Sequence, residues 1–528
     1  MEMVSEAAKT QKDSINGNKR IAKNTLFLYI RLAIVLVISL YTSRVVLNTL
    51  GVVDYGIYNV VAGFVSMFAL LSTSLTNAVR RFYNYEIGKN GTAGMQPIFI
   101  TSIYIQVIIA VFILVLAETV GLWYINNKLV FPPERYTAVI VVYHAAIISL
   151  LFIVLQIPFS AAIIARERIN YYAVVGIIDV LMKLVIALIT PYFSADNLIV
   201  YGSLIAAIAF LDFLSYYVYS RRSFPELRYV KQFDKNLFTS MLKFSGWNAV
   251  NGFSSTVMDQ GINLLMNAFF GPVVNAARAI AYQVKGALLG FVTNIITASS
   301  PQMTESYSSG NIERANNLMF TVSKFIFLSF YIVALPVIYE IDYVLALWLG
   351  ENVPDYTSGF LIIVLITALV DILVLPMNVL VSAVGDIAFF NSAYGILCLS
   401  WVPIAYFSLR IGATPNQVLL IGLCISLIAL VCSVMIMQMK TTVRITQYLR
   451  KVVLPLLGTV LLTFFIPIFL QSVFAQGFMR VVVVTLVSLA CVLFVGLYIG
   501  LDKRERLFVF SYVEKLKLLI KKGSNNRN

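Results

Sequence analysis

The sequence predicts an all-α polytopic membrane protein, and three observations support this fold class. The 528-residue chain is 60% hydrophobic and only 12% charged, with a mean hydropathy of +0.86. Its apolar residues form runs of about 20 residues or more, the length that a helix needs to cross a bilayer. No connector between these runs exceeds about 25 residues, which leaves no room for a soluble catalytic domain in a loop.

The apolar runs predict about fourteen membrane-spanning helices. A polar tail, 1–23, precedes the first run. Six spans then occupy 24–220, at approximately 24–45, 57–79, 98–123, 137–164, 171–193 and 198–220. After a basic connector, 221–243, six more occupy 244–439, at approximately 244–269, 273–299, 317–341, 358–383, 388–409 and 416–438. Two accessory spans lie in 440–500, at approximately 452–472 and 479–500, and a basic tail follows at 501–528.

The basic residues predict the orientation of the chain. The sequence has 39 Lys and Arg residues. With the N-terminus in the cytoplasm, about 29 of them lie on the cytoplasmic side, about 5 outside and about 5 within spans. This asymmetry predicts an even number of spans and places both termini in the cytoplasm.

Several functional classes are disfavoured by the sequence. The net charge of +14 does not indicate nucleic-acid binding, because the basic residues lie between apolar spans rather than on one soluble face. The four cysteines have no paired spacing, so neither a disulfide framework nor a thiolate metal site is predicted. No G-x-x-x-x-G-K-[ST] motif occurs, so direct use of ATP is not expected. We predict no cofactor and no enzymatic activity, although a coupling ion, H⁺ or Na⁺, stays open.

The segment 241–309 is long enough to cross the membrane twice, yet it is unusually polar. Asn, Ser and Asp side chains recur every three or four residues along one face of its first helix, at Asn248, Asn251, Ser255, Asp259, Asn263 and Asn267. After Gly271, a second helix carries Asn275, Arg278, Tyr282 and Lys285 on one face. Ionisable groups at membrane depth are costly and usually mark a substrate or ion pathway, so we expect the functional site here.

A weak internal repeat links this segment to the start of the chain. The first predicted helix ends near Asn48 and Gly51 and leads into a polar second helix, as the seventh does near Gly271. The repeat has an offset of about 220 residues, which is a six-span unit. Two such units would share an orientation and form two six-helix lobes enclosing a cavity between their polar first helices.

The run LGVVDYGIYNVVAGFVSMFALLSTSLTNAVRRF, together with D-Q-G-I-N-L-L, F-F-G, Pro301 and Glu305 further along, resembles the polysaccharide transporter branch of the multidrug/oligosaccharidyl-lipid/polysaccharide (MOP) exporter superfamily. The resemblance implies a V-shaped, MATE-like pair of six-helix lobes with two C-terminal accessory helices. It implies an O-antigen, capsule or exopolysaccharide repeat-unit flippase, whose substrate is an undecaprenyl-diphosphate-linked oligosaccharide, with polysaccharide polymerase and glycosyltransferases as partners.

Six candidate substrate-binding residues follow from the charge pattern: Arg278, Lys285, Asp259, Asn263, Arg31 and Arg44. Arginine binds phosphate oxygens bidentately, which suits a diphosphate. Four of these candidates have an alternative role. Arg278 and Arg31 could snorkel to an interface, Arg44 could be a loop charge, and Asp259 could pair with Arg278 or Lys285 or take up a coupling ion.

Two other functions fit the sequence less well. An exporter of small cations on the same fold would need an acidic site, whereas the first helices of the lobes carry more basic than acidic groups. An integral membrane polysaccharide polymerase or glycosyltransferase would need a sizeable external loop or clustered carboxylates for general acid and base chemistry. Neither feature is visible in the sequence.

Overall fold

The computed structural model describes residues 2–510 apart from 69, 229, 231–232, 386 and 508–509, and it describes their side chains except at 2–32, 70–74, 77, 245–253, 291 and 387–388. Every regular element within this part of the chain is helical. Twelve helical segments of the described residues are long and apolar enough to cross a membrane. The protein is therefore an all-α, multi-pass membrane protein, which confirms the predicted fold class.

The chain divides into two compact units, 1–276 and 277–528. In the described part of the first unit the α-helices are α1 Glu2–Phe68, α2 Leu70–Asn90, α3 Met95–Leu116, α4 Leu122–Asn127, α5 Tyr136–Leu155, α6 Ile157–Ala165, α7 Ile169–Ile189, α8 Asn197–Ser223 and α9 Lys235–Phe270. Helix α10, Pro272–Ser308, begins in the first unit and continues into the second.

Among the described residues of the second unit, the α-helices that follow α10 are α11 Ile312–Tyr339, α12 Ile341–Leu349, α13 Thr357–Asp371, α14 Val374–Val384, α15 Ile387–Leu399, α16 Trp401–Arg410, α17 Pro415–Lys440, α18 Ile445–Tyr448, α19 Leu454–Val473 and α20 Phe478–Val495. Wider helical turns at Leu449–Val453 and Gly496–Gly500 continue α18 into α19 and extend α20.

The span count differs from the predicted fourteen for two reasons. The predicted spans on either side of Gly51 share one segment, Ala33–Phe68, and α9 is not among the twelve. Three other predicted spans are each two helices, because a proline near the middle removes a backbone N–H donor and crowds the preceding turn. Pro158, Pro376 and Pro403 each lie near the start of the second helix of such a pair.

Two glycines mark equivalent breaks in the predicted repeat. Gly51 has φ 77° and ψ 168° within α1, and Gly271 has φ 77° and ψ −173° between α9 and α10. A side chain at either position would be strained in this left-handed region, so glycine is required. The two breaks lie about 220 residues apart and have nearly the same geometry, which supports the repeat.

The first unit packs around buried apolar side chains from several helices, including Tyr83, Phe99, Ile163, Phe224 and Met241. Helix α9 packs against α1, α2 and α3 of this unit. The predicted second lobe begins at 244, whereas the compact first unit includes α9 and extends to residue 276. The assignment of α9 to a functional second lobe stays a prediction.

An arginine joins three segments of the first unit. Arg135, before α5, donates from Nε to Asp54 Oδ1 at 2.8 Å and from Nη2 to Asp196 Oδ1 at 3.1 Å. Asp196 also accepts from the first backbone N–H groups of α8, Leu198 N and Ile199 N. Burial opposes ionisation of Asp196, but Arg135 and these N–H groups outweigh it and hold the pKa of this carboxyl below its usual value.

The backbone of α1 lies directly against the start of α10 at Gly56. A Cβ atom at this position would lie 1.9 Å from the carbonyl oxygen of Pro272. We expect Gly56→Ala to destabilise the protein by about 1–3 kcal/mol, because backbone atoms would have to move apart. Denaturant-induced unfolding in detergent measures this loss. Gly286→Ala is the matched control, since a Cβ there meets nothing within 4 Å, and equal losses for both variants would contradict the prediction.

Candidate functional site

Helix α9 forms the polar helix that the sequence predicts. Asp234 caps its N-terminus by accepting from Asn236 N at 2.9 Å and Leu237 N at 3.0 Å, as a good N-cap residue does. The helix then runs without a break to Phe270 and ends at Gly271. Asn248 and Asn251 of the predicted stripe lie outside the described side chains.

Three asparagines of the predicted stripes form a buried amide network in the first unit. Asn275 donates from Nδ2 to the backbone oxygen of Asn263 at 2.8 Å and to its Oδ1 at 2.9 Å. Asn267 donates to Asn275 Oδ1 at 3.0 Å, and it exchanges two hydrogen bonds with the backbone of Val130. All three side chains are at most 4% exposed. Their amides satisfy one another and lock the turn at Gly271. The predicted role of Asn263 toward a substrate stays a prediction.

The carboxylate of Asp259 is connected to this network through one side chain, that of Gln260. It accepts a hydrogen bond from Gln260 Nε2 at 2.9 Å, and Gln260 Oε1 in turn accepts one from Asn263. The same glutamine lies against Gly63 of α1, where a Cβ would be 2.3 Å from Oε1. Asp259 is therefore linked through Gln260 to the contact between α1 and α9. Its predicted role toward a substrate or a coupling ion stays a prediction.

On α10, three side chains of the predicted face lie together in the second unit. The guanidinium carbon of Arg278 is 4.0 Å from the centroid of the Tyr282 ring, and Lys285 Nζ is 5.6 Å from the same centroid. Arg278 is only 4% exposed. A desolvated cation over an aromatic face gains about 2 kcal/mol, which helps to offset the cost of burying the guanidinium. Tyr282 thus brings two cations together in one place.

Lys285 has a carboxylate partner that the sequence alone could not identify. Its Nζ lies 3.5 Å from Oδ2 of Asp371, the last residue of α13, and the two side chains are 19% and 29% exposed. A distance of 3.5 Å is at the long end for a hydrogen bond, and both groups reach solvent. The contact between Lys285 and Asp371 is therefore a long, partly exposed ion pair.

Two further arginines were predicted to bind the substrate, Arg31 and Arg44, and another intramembrane ion pair lies on α7. Arg31 lies outside the described side chains, and Arg44 is half-buried on α1. On α7, Lys183 Nζ lies 2.8 Å from Asp179 Oδ1, four positions earlier, and the two side chains form an ion pair within the helix.

Two ion pairs of the second unit were not predicted. Glu340, between α11 and α12, accepts from Arg480 Nη2 at 2.9 Å and Nε at 3.1 Å and is 1% exposed. Lys324 of α11 forms a close ion pair with Glu505 beyond α20. Glu340 and Arg480 are 140 positions apart in the sequence, and Lys324 and Glu505 are 181 positions apart. Helix periodicity relates residues three or four positions apart, so it could not predict either pair. Both tie the accessory helices to the rest of the unit.

Comparison with solved structures identifies the fold. The chain is similar to a lipid II flippase, MurJ, in an inward closed conformation, with a TM-score of 0.66 and 13% identity, covering 90% of this chain and 98% of that one. It is also similar to an inward-facing multidrug resistance MATE family transporter of the MOP superfamily, with a TM-score of 0.57 and 14% identity, covering 78% and 94%. An outward-facing structure of such a transporter gives a TM-score of 0.54 at 14% identity, covering 79% and 95%.

Comparisons with protein families and with curated proteins find no match. The structural neighbours are transporters, and identities of 13–14% establish the fold alone. The protein thus has the fold of the MOP superfamily, which confirms the coarser part of the resemblance seen in the sequence.

Proposed function

We propose that the protein is a flippase that carries a diphosphate-linked polyprenyl oligosaccharide across the bacterial inner membrane, for the assembly of O-antigen, capsule or exopolysaccharide. One observation carries this proposal: two cations, Arg278 and Lys285, lie over one aromatic ring on a membrane helix. The MurJ-like fold supports a lipid-linked substrate. The oligosaccharide and its polymerase and glycosyltransferase partners follow from the resemblance of the sequence.

A diphosphate explains why these two cations occupy a membrane helix. Its charge of about −2 cannot enter hydrocarbon without counter-charges. The fork of donors on Arg278 matches phosphate oxygens bidentately, and the Lys285 ammonium adds a compact point charge. Because Tyr282 lies beside both cations, they can converge on one anion. The polyprenyl tail would stay in lipid while the site is exposed alternately to the two membrane faces.

Lys285 would change partners during this cycle. Without substrate, Asp371 neutralises it at 3.5 Å. An arriving diphosphate carries more charge than one carboxylate and would displace Asp371, and the pair would re-form when the substrate leaves. Such an exchange keeps Lys285 paired with a carboxylate in the empty site and limits the desolvation cost of the return step.

We expect Asp371→Asn to tighten the binding of a diphosphate-linked polyprenol to the detergent-purified protein by up to about fivefold. The variant removes the anion that competes for Lys285, and partly exposed ion pairs contribute ~0.2–1 kcal/mol. Isothermal titration measures the change. Asp342→Asn is the control, because Asp342 is an exposed carboxylate that accepts a hydrogen bond from Ser358. Unchanged or weaker binding by Asp371→Asn would contradict the exchange of partners.

The function itself is tested by depleting the protein in its own cell. Lipid-linked repeat units should then accumulate in the cytoplasmic leaflet, while their synthesis continues. Thin-layer chromatography of radiolabelled lipid extracts measures the accumulation, and restoring the protein should reverse it. If the repeat units are still polymerised at the normal rate after depletion, the flippase proposal is wrong.

Export of a small cation on the same fold is the alternative function, supported by the similarity to multidrug MATE transporters. A cation site would require a carboxylate that is available to the substrate. At the cluster on α10, two cations, Arg278 and Lys285, lie at the ring of Tyr282, and the carboxylate of Asp371 faces Lys285. This balance of charge favours an anionic substrate.

A further inference from the structure

A second group of basic side chains lines a cleft in the second unit, formed by elements other than α10. The cleft comprises a cavity of about 870 Å³ and an adjoining cavity of about 460 Å³. Lys324, Lys451 and Asp502 belong to the walls of both. The walls come from the start of α11, the turn that leads into α19, and the segment after α20. We call this region the interfacial cleft.

The interfacial cleft lies at a membrane surface. Three of the twelve candidate spans begin or end at its walls: one begins at Ile312, one begins at Ile445, and one ends at Gly500. Because these ends meet around one cavity, they lie at the same face of the bilayer. The distribution of Lys and Arg predicts that this face is cytoplasmic. The cleft is therefore at the depth of lipid headgroups.

The carboxylates after α20 are committed to internal contacts. Glu505 forms a close ion pair with Lys324, accepts from Thr321 Oγ1 at 2.6 Å and accepts from Asp502 N at 2.9 Å. Asp502 Oδ1 accepts from two backbone N–H groups, those of Arg504 and Glu505, both at 3.1 Å. Lys324 is 2% exposed, so this ion pair neutralises a buried charge rather than the surface of the cleft.

The walls of the cleft carry an excess of positive charge. Six cations line the two cavities, Arg314, Lys324, Arg450, Lys451, Lys503 and Arg504, against three carboxylates, Glu313, Asp502 and Glu505. Lys451 is positioned by two contacts: its Nζ donates to Asn317 Oδ1 at 3.2 Å and lies 5.0 Å from the centroid of the Phe320 ring. The cleft is thus suited to an anion.

An apolar surface continues from the cleft along the outside of α19 and α20. Pro455 and Ile499 form part of the cavity wall. Beyond them Leu454, Leu457 and Phe494 are 61%, 50% and 64% exposed. In a bilayer, side chains with this exposure on membrane-spanning helices face lipid tails. A ligand with a phosphate and attached acyl chains could therefore contact both surfaces, whereas a free phosphate would use only the basic part.

We propose that the interfacial cleft binds the phosphate headgroup of an anionic membrane phospholipid, with its acyl chains against α19 and α20. Basic pockets between membrane helices on the cytoplasmic side are suited to such headgroups, because the phosphate gains charge-assisted hydrogen bonds without leaving the headgroup layer. This site is separate in sequence and in its lining residues from the cluster on α10, and the proposal does not depend on which substrate is transported.

The test uses the full-length protein in phosphatidylcholine nanodiscs, titrated with phosphatidylglycerol. Bound phosphatidylglycerol is counted by mass spectrometry of the purified complex. We expect the double substitution Arg450→Gln, Lys451→Gln to weaken binding about 25-fold, since one Lys or Arg near an anionic lipid contributes about fivefold, or ~1 kcal/mol. The control is Arg410→Gln, an exposed arginine at the end of α16, which should bind as the unchanged protein does.

Two further measurements complete the test. The first distinguishes a loss of charge from a loss of folding, and the second distinguishes binding of a lipid from binding of a free anion. The substitution Arg450→Lys, Lys451→Arg keeps both charges and should retain binding to within about threefold, since the charge is preserved. Inorganic phosphate at the same concentration should not displace the lipid. The proposal is overturned if the neutral double variant binds normally, if the charge-preserving variant loses binding as fully as the neutral one, or if inorganic phosphate competes equally with the lipid.

Discussion

Arg278→Gln is expected to slow the transfer of lipid-linked oligosaccharide by about 10- to 150-fold, because a hydrogen bond to a charged group contributes about 1.5–3 kcal/mol. Arg278 is 4% exposed and lies 4.0 Å from the Tyr282 ring, so water cannot easily replace its guanidinium as a partner for the diphosphate. Glutamine keeps a polar side chain of similar length but brings neither the charge nor the bidentate fork. Transfer in reconstituted vesicles measures the effect.

The chain offers a matched control for this substitution. Arg410 also lies over a tyrosine four residues away, with its guanidinium carbon 5.3 Å from the Tyr406 ring, but it is exposed at the end of α16. Arg410→Gln should leave transfer unchanged. Arg278→Lys should retain part of the activity, because it keeps the charge and loses the fork. If Arg278→Gln and Arg410→Gln are equally active at equal expression, Arg278 does not hold the diphosphate.

The largest loss of stability is expected from Arg480→Leu, at about 3–5 kcal/mol, because removing one partner of a buried ion pair leaves the other charge buried and uncompensated. Glu340 is 1% exposed and accepts two hydrogen bonds from Arg480. Its remaining hydrogen-bond partner, Gln471, lies 3.4 Å away and is neutral. Denaturant-induced unfolding in detergent measures the loss.

A double variant distinguishes two causes of the instability: a buried carboxylate without its ion-pair partner, and the loss of the packing contacts of the Arg480 side chain. The combination Glu340→Leu, Arg480→Leu removes both charges, and it should recover most of the stability that Arg480→Leu alone loses. Arg410→Leu serves as the exposed control, with an expected change within about 0.5 kcal/mol. A double variant that is as unstable as the sum of the two single variants would show that the charges act independently.

Much of the fold could be predicted from the sequence, because a bilayer allows few solutions for an apolar run. The predicted span at 198–220 is α8, Asn197–Ser223, and the predicted span at 416–438 is α17, Pro415–Lys440. The sequence analysis missed the breaks near Pro158, Pro376 and Pro403, although proline chemistry indicates them. It placed the end of the seventh helix at Gly271, because glycine after a long periodic run indicates a helix end.

The candidate site was less predictable, because its contacts join distant parts of the chain. Helical periodicity predicted that Arg278, Tyr282 and Lys285 share a face, and their contacts follow from that spacing. The same periodicity grouped Asn263 with the charged residues, yet its partner is Asn275 across the turn at Gly271. Asp371 lies 86 positions from Lys285, and no local pattern specifies which intramembrane carboxylate a lysine will meet.

The most direct test of the proposed flippase function is transport by the purified protein in reconstituted vesicles. The substrate is a fluorescent polyprenyl diphosphate that carries an oligosaccharide, placed in one leaflet, and a membrane-impermeant quencher reports its arrival in the other. Wild-type protein should accelerate the transfer, and Arg278→Gln should remove most of that acceleration. Wild-type vesicles that transfer this lipid no faster than protein-free vesicles, while they transport a small organic cation, would contradict the proposed function.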